Sequence, residues 1–348
     1  IELLLNDEDM IAQMGRAGKE RIINFFSIDK MVNNYIIFYR KVLTKTSSKR
    51  MLIARKLLRE ILALTLIQIY YFKKYDHKGI VSIYFHNPSK KLFKKIVIWL
   101  ISHKYKFISL DELDSIIRGK LDVDKLVFIS LDDGWKGNLD LIDIINQYKI
   151  PIAMFITTDP IKNGNYWWEY TMVLGQKKFT GIENLEDFKK LEESTFNEKI
   201  AILKRKYHLE RSCITLDDLR RISENEHITI GSHTVSHPIM TSSTHKTQVR
   251  ELVESKQALG HWLNKEIVYL SYPNGNYDED TIEIARKSGY KLCFTTNTGR
   301  IDVKKVNPYT IPRNALYDKG GYFENVSKIL GVWQKYFPSN NNYLELDI

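Results

Sequence analysis

The sequence predicts an α/β protein whose parallel strands, separated by helices, close into a (β/α) barrel. Three observations carry that expectation. From residue 79 onward, short apolar runs bounded by polar turn residues alternate with stretches of helical periodicity. Six to eight such units in succession suit a barrel. The polar clusters also fall where predicted strands end, which is where barrels place reactive side chains.

Taken in order, residues 1–43 have apolar residues at helical spacing, and Ser27 is the expected cap of a second helix in this preface. Residues 44–60 read as a basic linker, with Lys45, Lys49, Arg50, Arg55, Lys56 and Arg59 against the single acid Glu60. The run ILALTLIQIYYF (61–72) is shorter than the roughly 20 apolar residues a spanning helix needs. It reads as a core or interface helix, with a peripheral membrane contact through residues 51–74 as the alternative. The barrel is expected over 79–335, followed by a tail over 336–348. Its strands are predicted at 80–85, 125–131, 152–156, 227–231, 267–272, 291–295 and near 309–312. Helices are predicted at 92–103, 139–148 and 247–263, and a long insertion over 160–226 carries the WWEY element.

The formal charge of +10, from 52 basic and 42 acidic side chains, favours anionic partners. No nucleic-acid-binding signature accompanies it, so nucleic acid is not expected as a partner. Cys213 and Cys293 form no C-x-x-C, which excludes a disulfide framework and a thiolate metal site. Neither a signal peptide nor a spanning stretch is visible, which favours the cytoplasm or its membrane face.

Four strand ends carry the chemistry: SLDDGW with Asp132 and Asp133, GSHTVSH with His233 and His237, SYPNGNY with Pro273 and Asn274, and YFHN with His86. A helical turn after His233 would bring both imidazoles to one face, a spacing that suits two nitrogen ligands on one ion. Two histidines and one aspartate make a three-ligand site for Zn²⁺ or a similar divalent ion, with the open position of a catalytic centre. Such an ion polarises a carbonyl and acidifies water, and the other aspartate can act as general base. Neighbouring residues on a strand point to opposite faces, so the strand must break for both carboxylates to serve one site; Gly134 eases the break.

The set SLDDG, HTVSH and YPNG resembles the polysaccharide deacetylases, the NodB-homology carbohydrate esterases, whose motifs are commonly written T-F-D-D-G, H-[ST]-x-x-H and R-x-P-Y/F-G. The resemblance covers residues 79–315 and implies a distorted (β/α) barrel. By position it implies Asp132 as catalytic base, and Asp133, His233 and His237 as metal ligands. It also implies the Asn274 amide as oxyanion donor, with Pro273 at the substrate. Two departures stand out. Ser271 replaces the family's arginine, for which Arg313 is the candidate substitute; the alternative is a surface arginine capping a strand. No histidine follows Arg313 where many members have Leu-x-His, so His86 is the candidate acid. Trp135, Trp167 and Trp168 either stack on sugar rings, leaving their N–H groups for hydroxyls, or fill the core.

The implied function is metal-dependent removal of N-acetyl groups from a glycan in a bacterial cell-envelope pathway. An O-acetyl esterase and a glycan-binding barrel without turnover are the alternatives. Residues 1–43 also resemble, through Asp7, Met14-Gly15, Arg21, Phe26-Ser27 and Tyr39, the C-terminal tail of group-1 glycosyltransferases of the GT-B type. That resemblance implies a transferase domain upstream in the same polypeptide, assigns no transferase activity to residues 1–43 themselves, and has an ordinary amphipathic helix pair as its alternative.

Overall fold

The computed structural model describes residues 8–25, 30, 49–73, 78–121, 124–176, 188–189 and 191–337. The second helix expected after Ser27, and the tail beyond residue 337, lie outside them. The strands are β1 (Ile80–Phe85), β2 (Lys106–Phe107), β3 (Leu126–Asp133), β4 (Ile152–Ile156), β5 (Ile228–Ser232), β6 (Tyr269–Ser271), β7 (Leu292–Phe294), β8 (Arg300–Ile301) and β9 (Asn314–Ala315). They form one sheet in the order β7-β6-β5-β4-β3-β1-β8, with β2 beside β3 and β9 beside β1. Every pairing is parallel except β8 against β1.

Residues 311–315 join the two margins of this curled sheet. Ile311 bridges Phe294 of β7, while Asn314 and Ala315 pair with Ile83 and Tyr84 of β1. The expected segment near 309–312 is therefore present, and it does the closing.

The helices, in chain order, are α1 (Glu8–Phe25), α2 (Lys49–Lys73), α3 (Lys90–Ser102), α4 (Leu110–Gly119), α5 (Ile142–Tyr148), α6 (Thr158–Asn163), α7 (Trp167–Gln176), α8 (Glu193–Lys206), α9 (Leu216–Ser223), α10 (His245–Leu263), α11 (Glu279–Lys287), α12 (Tyr322–Ile329) and α13 (Val332–Tyr336). Several starts follow from caps. Ser89 accepts the Leu92 N–H to open α3, and Ser109 with Glu112 forms a complete capping box on α4, a helix the periodicity did not reveal. Helix α5 begins three residues later than expected, behind a 3₁₀ turn over Lys136–Leu141.

Strand alternation sorts the core into two faces. On β3, Val127, Ile129 and Leu131 join the cluster under the helices, whereas Leu126 and Phe128 point into the ring with Phe155 and Phe294. Continued by twos, the inward face reaches Ser130 and Asp132, so the apolar interior ends in a polar layer.

One boundary needs correction. Residues 49–60 are not a linker, because α2 runs unbroken through them. The stretch holds no Gly or Pro and is rich in Leu, Arg and Lys, which favour helix. Leu62, Ala63, Leu66, Ile67 and Ile69 are buried, and the helix packs on α12 and α13, which makes it an interface helix. No helix among the described residues is long and apolar enough to cross a membrane.

Candidate metal centre and active site

The strand does break at the Asp–Asp pair, one residue earlier than expected. Asp133 itself turns left-handed (φ 75°), followed by Gly134 (φ 94°), so its side chain leaves the alternation that places Asp132 in the ring. A Cβ at Gly134 would lie 3.1 Å from the Ile156 side chain.

No helical turn follows His233. The histidines sit on a loop with Thr234 (φ 67°) and His237 (φ 58°) both left-handed. The Thr234 hydroxyl accepts the His237 N–H at 3.2 Å. Buried Glu251 on α10 holds the same loop: it accepts the N–H groups of Val235 and Ser236 and the Ser236 hydroxyl, each at 2.8 Å.

The loop brings His233 and His237 to Asp133. Their Nε2 atoms lie 3.4 and 3.6 Å from Asp133 Oδ1. His233 Nδ1 is 2.7 Å from the Ser271 carbonyl, which can only accept, so Nδ1 carries the hydrogen and Nε2 presents its lone pair. Asp133 Oδ1 is buried with no hydrogen-bond partner. An acceptor oxygen faced by imidazole nitrogens at these separations calls for a cation among them. Two donors about 2.0–2.1 Å from a tetrahedral ion lie roughly 3.4 Å apart, so the donor set fits a divalent metal.

The electrostatics agree. Burial opposes the Asp133 charge, yet the imidazoles around it, His233 foremost, hold its carboxyl well below the usual range. Burial, and after it the neighbouring His233, push His237 down to about 3.

Asp132 has a different partner. Arg313, fully buried, donates from its two terminal nitrogens to the two oxygens of Asp132 at 2.8 Å each. The remaining guanidinium contacts go to Ser130 Oγ (2.9 Å), Ser271 Oγ (2.7 Å) and the Thr295 carbonyl (3.1 Å). The Ser271 hydroxyl also lies 3.2 Å from Asp132 Oδ2. Arg313 is thus no surface cap. The serine at the family's arginine position belongs to its network, and the Tyr84 ring lies 4.3 Å from the guanidinium. Burial opposes the Asp132 charge, but Arg313 and then His233 hold its carboxyl below the ordinary value.

A cavity of about 310 Å³ meets this centre. Asp133, His237, His86, Asn274, Trp135, Trp167 and Trp168 line it, together with Tyr84, Asn87, Pro88, Lys189 and residues 315–319. Asp132, His233 and Arg313 are buried outside that lining, and Pro273 is buried in a 3₁₀ turn whose next residue, Asn274 (φ 54°), reaches the cavity.

All three tryptophans are buried in the main apolar cluster and also line the cavity. WWEY opens helix α7 and is not a loop. The Trp135 indole N–H donates to Asp133 Oδ2 at 2.8 Å, and that of Trp167 to the His237 carbonyl at 3.0 Å. Neither is left for a sugar hydroxyl, so one steadies the Asp133 carboxylate and the other the backbone of His237. Trp168 stacks on Tyr166 at 4.6 Å and meets the His237 ring edge-on at 4.6 Å; its buried N–H has no partner.

Comparison with known proteins gives the same reading. The family profile described as polysaccharide deacetylase matches residues 120–293, half of the 348-residue chain. Bacillus subtilis YxkH, named for the same family, is 23% identical over 212 residues, which cover 60% of this chain and 59% of that protein. The poly-β-1,6-N-acetyl-D-glucosamine N-deacetylase of Staphylococcus aureus is 24% identical over 257 residues, covering 71% of this chain and 76% of the relative. The fold recurs in the deacetylase PplD of Streptococcus pyogenes (TM-score 0.52, 18% identity, 74% of this chain and 99% of that one). It recurs also in IcaB from Ammonifex degensii (TM-score 0.52, 16% identity, 73% and 100%). The chain belongs to the polysaccharide deacetylase family.

Proposed function

We propose that this chain hydrolyses the acetyl amide of N-acetylated sugars in a glycan, using a divalent metal ion and Asp132 as base. The observation that carries the reading is the unpartnered Asp133 Oδ1 facing two imidazole nitrogens, one residue from a carboxylate clamped by Arg313. Asp133, His233 and His237 hold the ion, and their nitrogen and oxygen donors suit zinc. Bound there, such an ion supplies Lewis acidity to the acetyl carbonyl and acidifies water.

The chain's own groups do the rest. Asp132, kept ionised by Arg313, accepts a proton from the attacking water through lone pairs the guanidinium leaves open. The Asn274 N–H serves the oxyanion. His86 gives a proton to the leaving amine as the C–N bond breaks, releasing acetate and a free amino sugar. Trp168 packs against the sugar beside His237. The name of the Staphylococcus relative supports an N-acetyl over an O-acetyl substrate. A transferase domain upstream of residue 1 belongs to the same proposal, on the resemblance of residues 1–43 alone.

Metal analysis joined to an acetate-release screen tests this. Poly-β-1,6-N-acetylglucosamine and chitin oligomers are expected to release acetate, whereas release from acetylated xylan alone selects the esterase. Glycan binding without release by metal-loaded protein selects the binding barrel. Chelation abolishes release and Zn²⁺ restores it. Asp132→Asn lowers kcat by about 10²–10⁴-fold with metal content unchanged; full activity in that variant removes Asp132 as base.

A further inference from the structure

The cavity has a wall that contributes neither a metal ligand nor a group placed for proton transfer. Residues 315–319, with Tyr317, Asp318 and Lys319, form it, and much of what fixes them comes from helix α2, some 260 residues earlier in the chain. Lys56 Nζ donates to the Asp318 carbonyl at 3.1 Å. Arg59 donates to the Tyr317 hydroxyl at 3.2 Å and to both oxygens of buried Glu324, at 2.6 and 2.5 Å. The Tyr317 hydroxyl in turn donates to Glu324 at 3.0 Å. Lys328 completes the cluster, 3.0 Å from Glu324 and 3.6 Å from the centre of the Tyr317 ring.

Glu60 acts on the same wall from its far end. Its carboxylate accepts the N–H groups of Phe323 and Glu324 at 3.0 Å each, in the first turn of α12. Gly321, just before that turn, has φ 80°, and a Cβ there would lie 2.3 Å from Glu60 Oε1. A residue other than glycine would displace the capping carboxylate. From the barrel side, Asp318 accepts the Ser89 N–H at 2.7 Å and the Ser89 hydroxyl, while Asn325 exchanges hydrogen bonds with the Tyr317 main chain at 3.1 and 2.8 Å.

We infer that α2 is a specificity element of the active site: Arg59 and Glu60 are positioning residues that set the 315–319 wall, and this wall grips sugar units next to the one that reacts. The inference rests on the deacetylase reading for its substrate class, a hydroxyl-rich oligosaccharide. Because the wall holds no reacting group, loosening it weakens glycan binding and leaves the chemical step alone.

The test compares Arg59→Ala and Arg59→Lys with the parent, all metal-loaded, on a poly-β-1,6-N-acetylglucosamine pentamer and on 4-nitrophenyl acetate, which is too small to reach the wall. For the pentamer, Arg59→Ala raises KM and the directly titrated Kd about five- to tenfold while kcat stays within about twofold. Activity on 4-nitrophenyl acetate is kept. Arg59→Lys, which retains one charged donor, falls between the two and supplies the readout should Arg59→Ala fail to fold. Unchanged pentamer affinity overturns the inference, and so does an equal loss on both substrates. Absence of acetate release from the parent overturns the deacetylase reading instead, and the titrated Kd still decides the role of the wall.

Discussion

At Asp133 the backbone torsion of 75° brings to one site two carboxylates that a continuous strand would send to opposite faces of the sheet. Asp132 keeps the inward face and meets Arg313, while Asp133 swings to the histidines. Each buried carboxylate therefore has its own partners: a guanidinium for one, two imidazoles for the other. Arg313→Ala leaves Asp132 buried and unpaired. The expected cost is about 3–5 kcal/mol of stability, read from chemical denaturation, with loss of acetate release even where the protein stays folded. Arg313→Lys restores charge without the two-pronged geometry and recovers stability more than activity. The Asp and His pairs were legible because short motifs keep their spacing whatever surrounds them. The meaning of Ser271 was not, since it depends on an arginine 42 positions later that the closing segment brings to its side. What the Trp167 N–H meets was hidden for a related reason: its partner is a carbonyl 70 residues away.

Among the elements, α10 does what its sequence conceals. A glutamate within a helix ordinarily reads as solvated, yet Glu251 lies on the inward face with Gln248, Leu252 and Ser255 and takes three hydrogen bonds from the His233–His237 loop. A charge on the buried stripe of that helix was the available signal. Glu251→Gln removes acceptor capacity behind a ligand-bearing loop. Zinc affinity is expected to fall about 10- to 100-fold, measured by competition with a chromogenic chelator, while circular dichroism stays that of the parent. Strands with continuous apolar runs, such as β1 and β4, were legible from the sequence; the two-residue strands β2 and β8 were not. Pairs that short carry no periodicity, and only their neighbours in the sheet define them.

Across the whole molecule, α2 and the barrel meet at a seam built on Glu324. Burial opposes its charge, but Lys328 and then Arg59 hold its carboxyl below the ordinary value. A depressed carboxylate contributes stability that is complete above its unfolded value, about 4.3, and drains away as the pH falls toward the lower folded value. The difference in melting temperature between the parent and Glu324→Gln is therefore expected to be full at pH 7 and to close below about pH 4. Distance along the chain gives the active site one more property. Arg313 reaches Asp132 across 181 positions, and Arg59 reaches Glu324 across 265. Closing such intervals belongs to the slow part of folding. During synthesis the Asp–Asp strand and both histidines leave the ribosome well before Arg313. Until that residue arrives, Asp132 has no guanidinium to keep it charged and aligned, so hydrolytic competence waits on a residue made 181 positions after the carboxylate it serves.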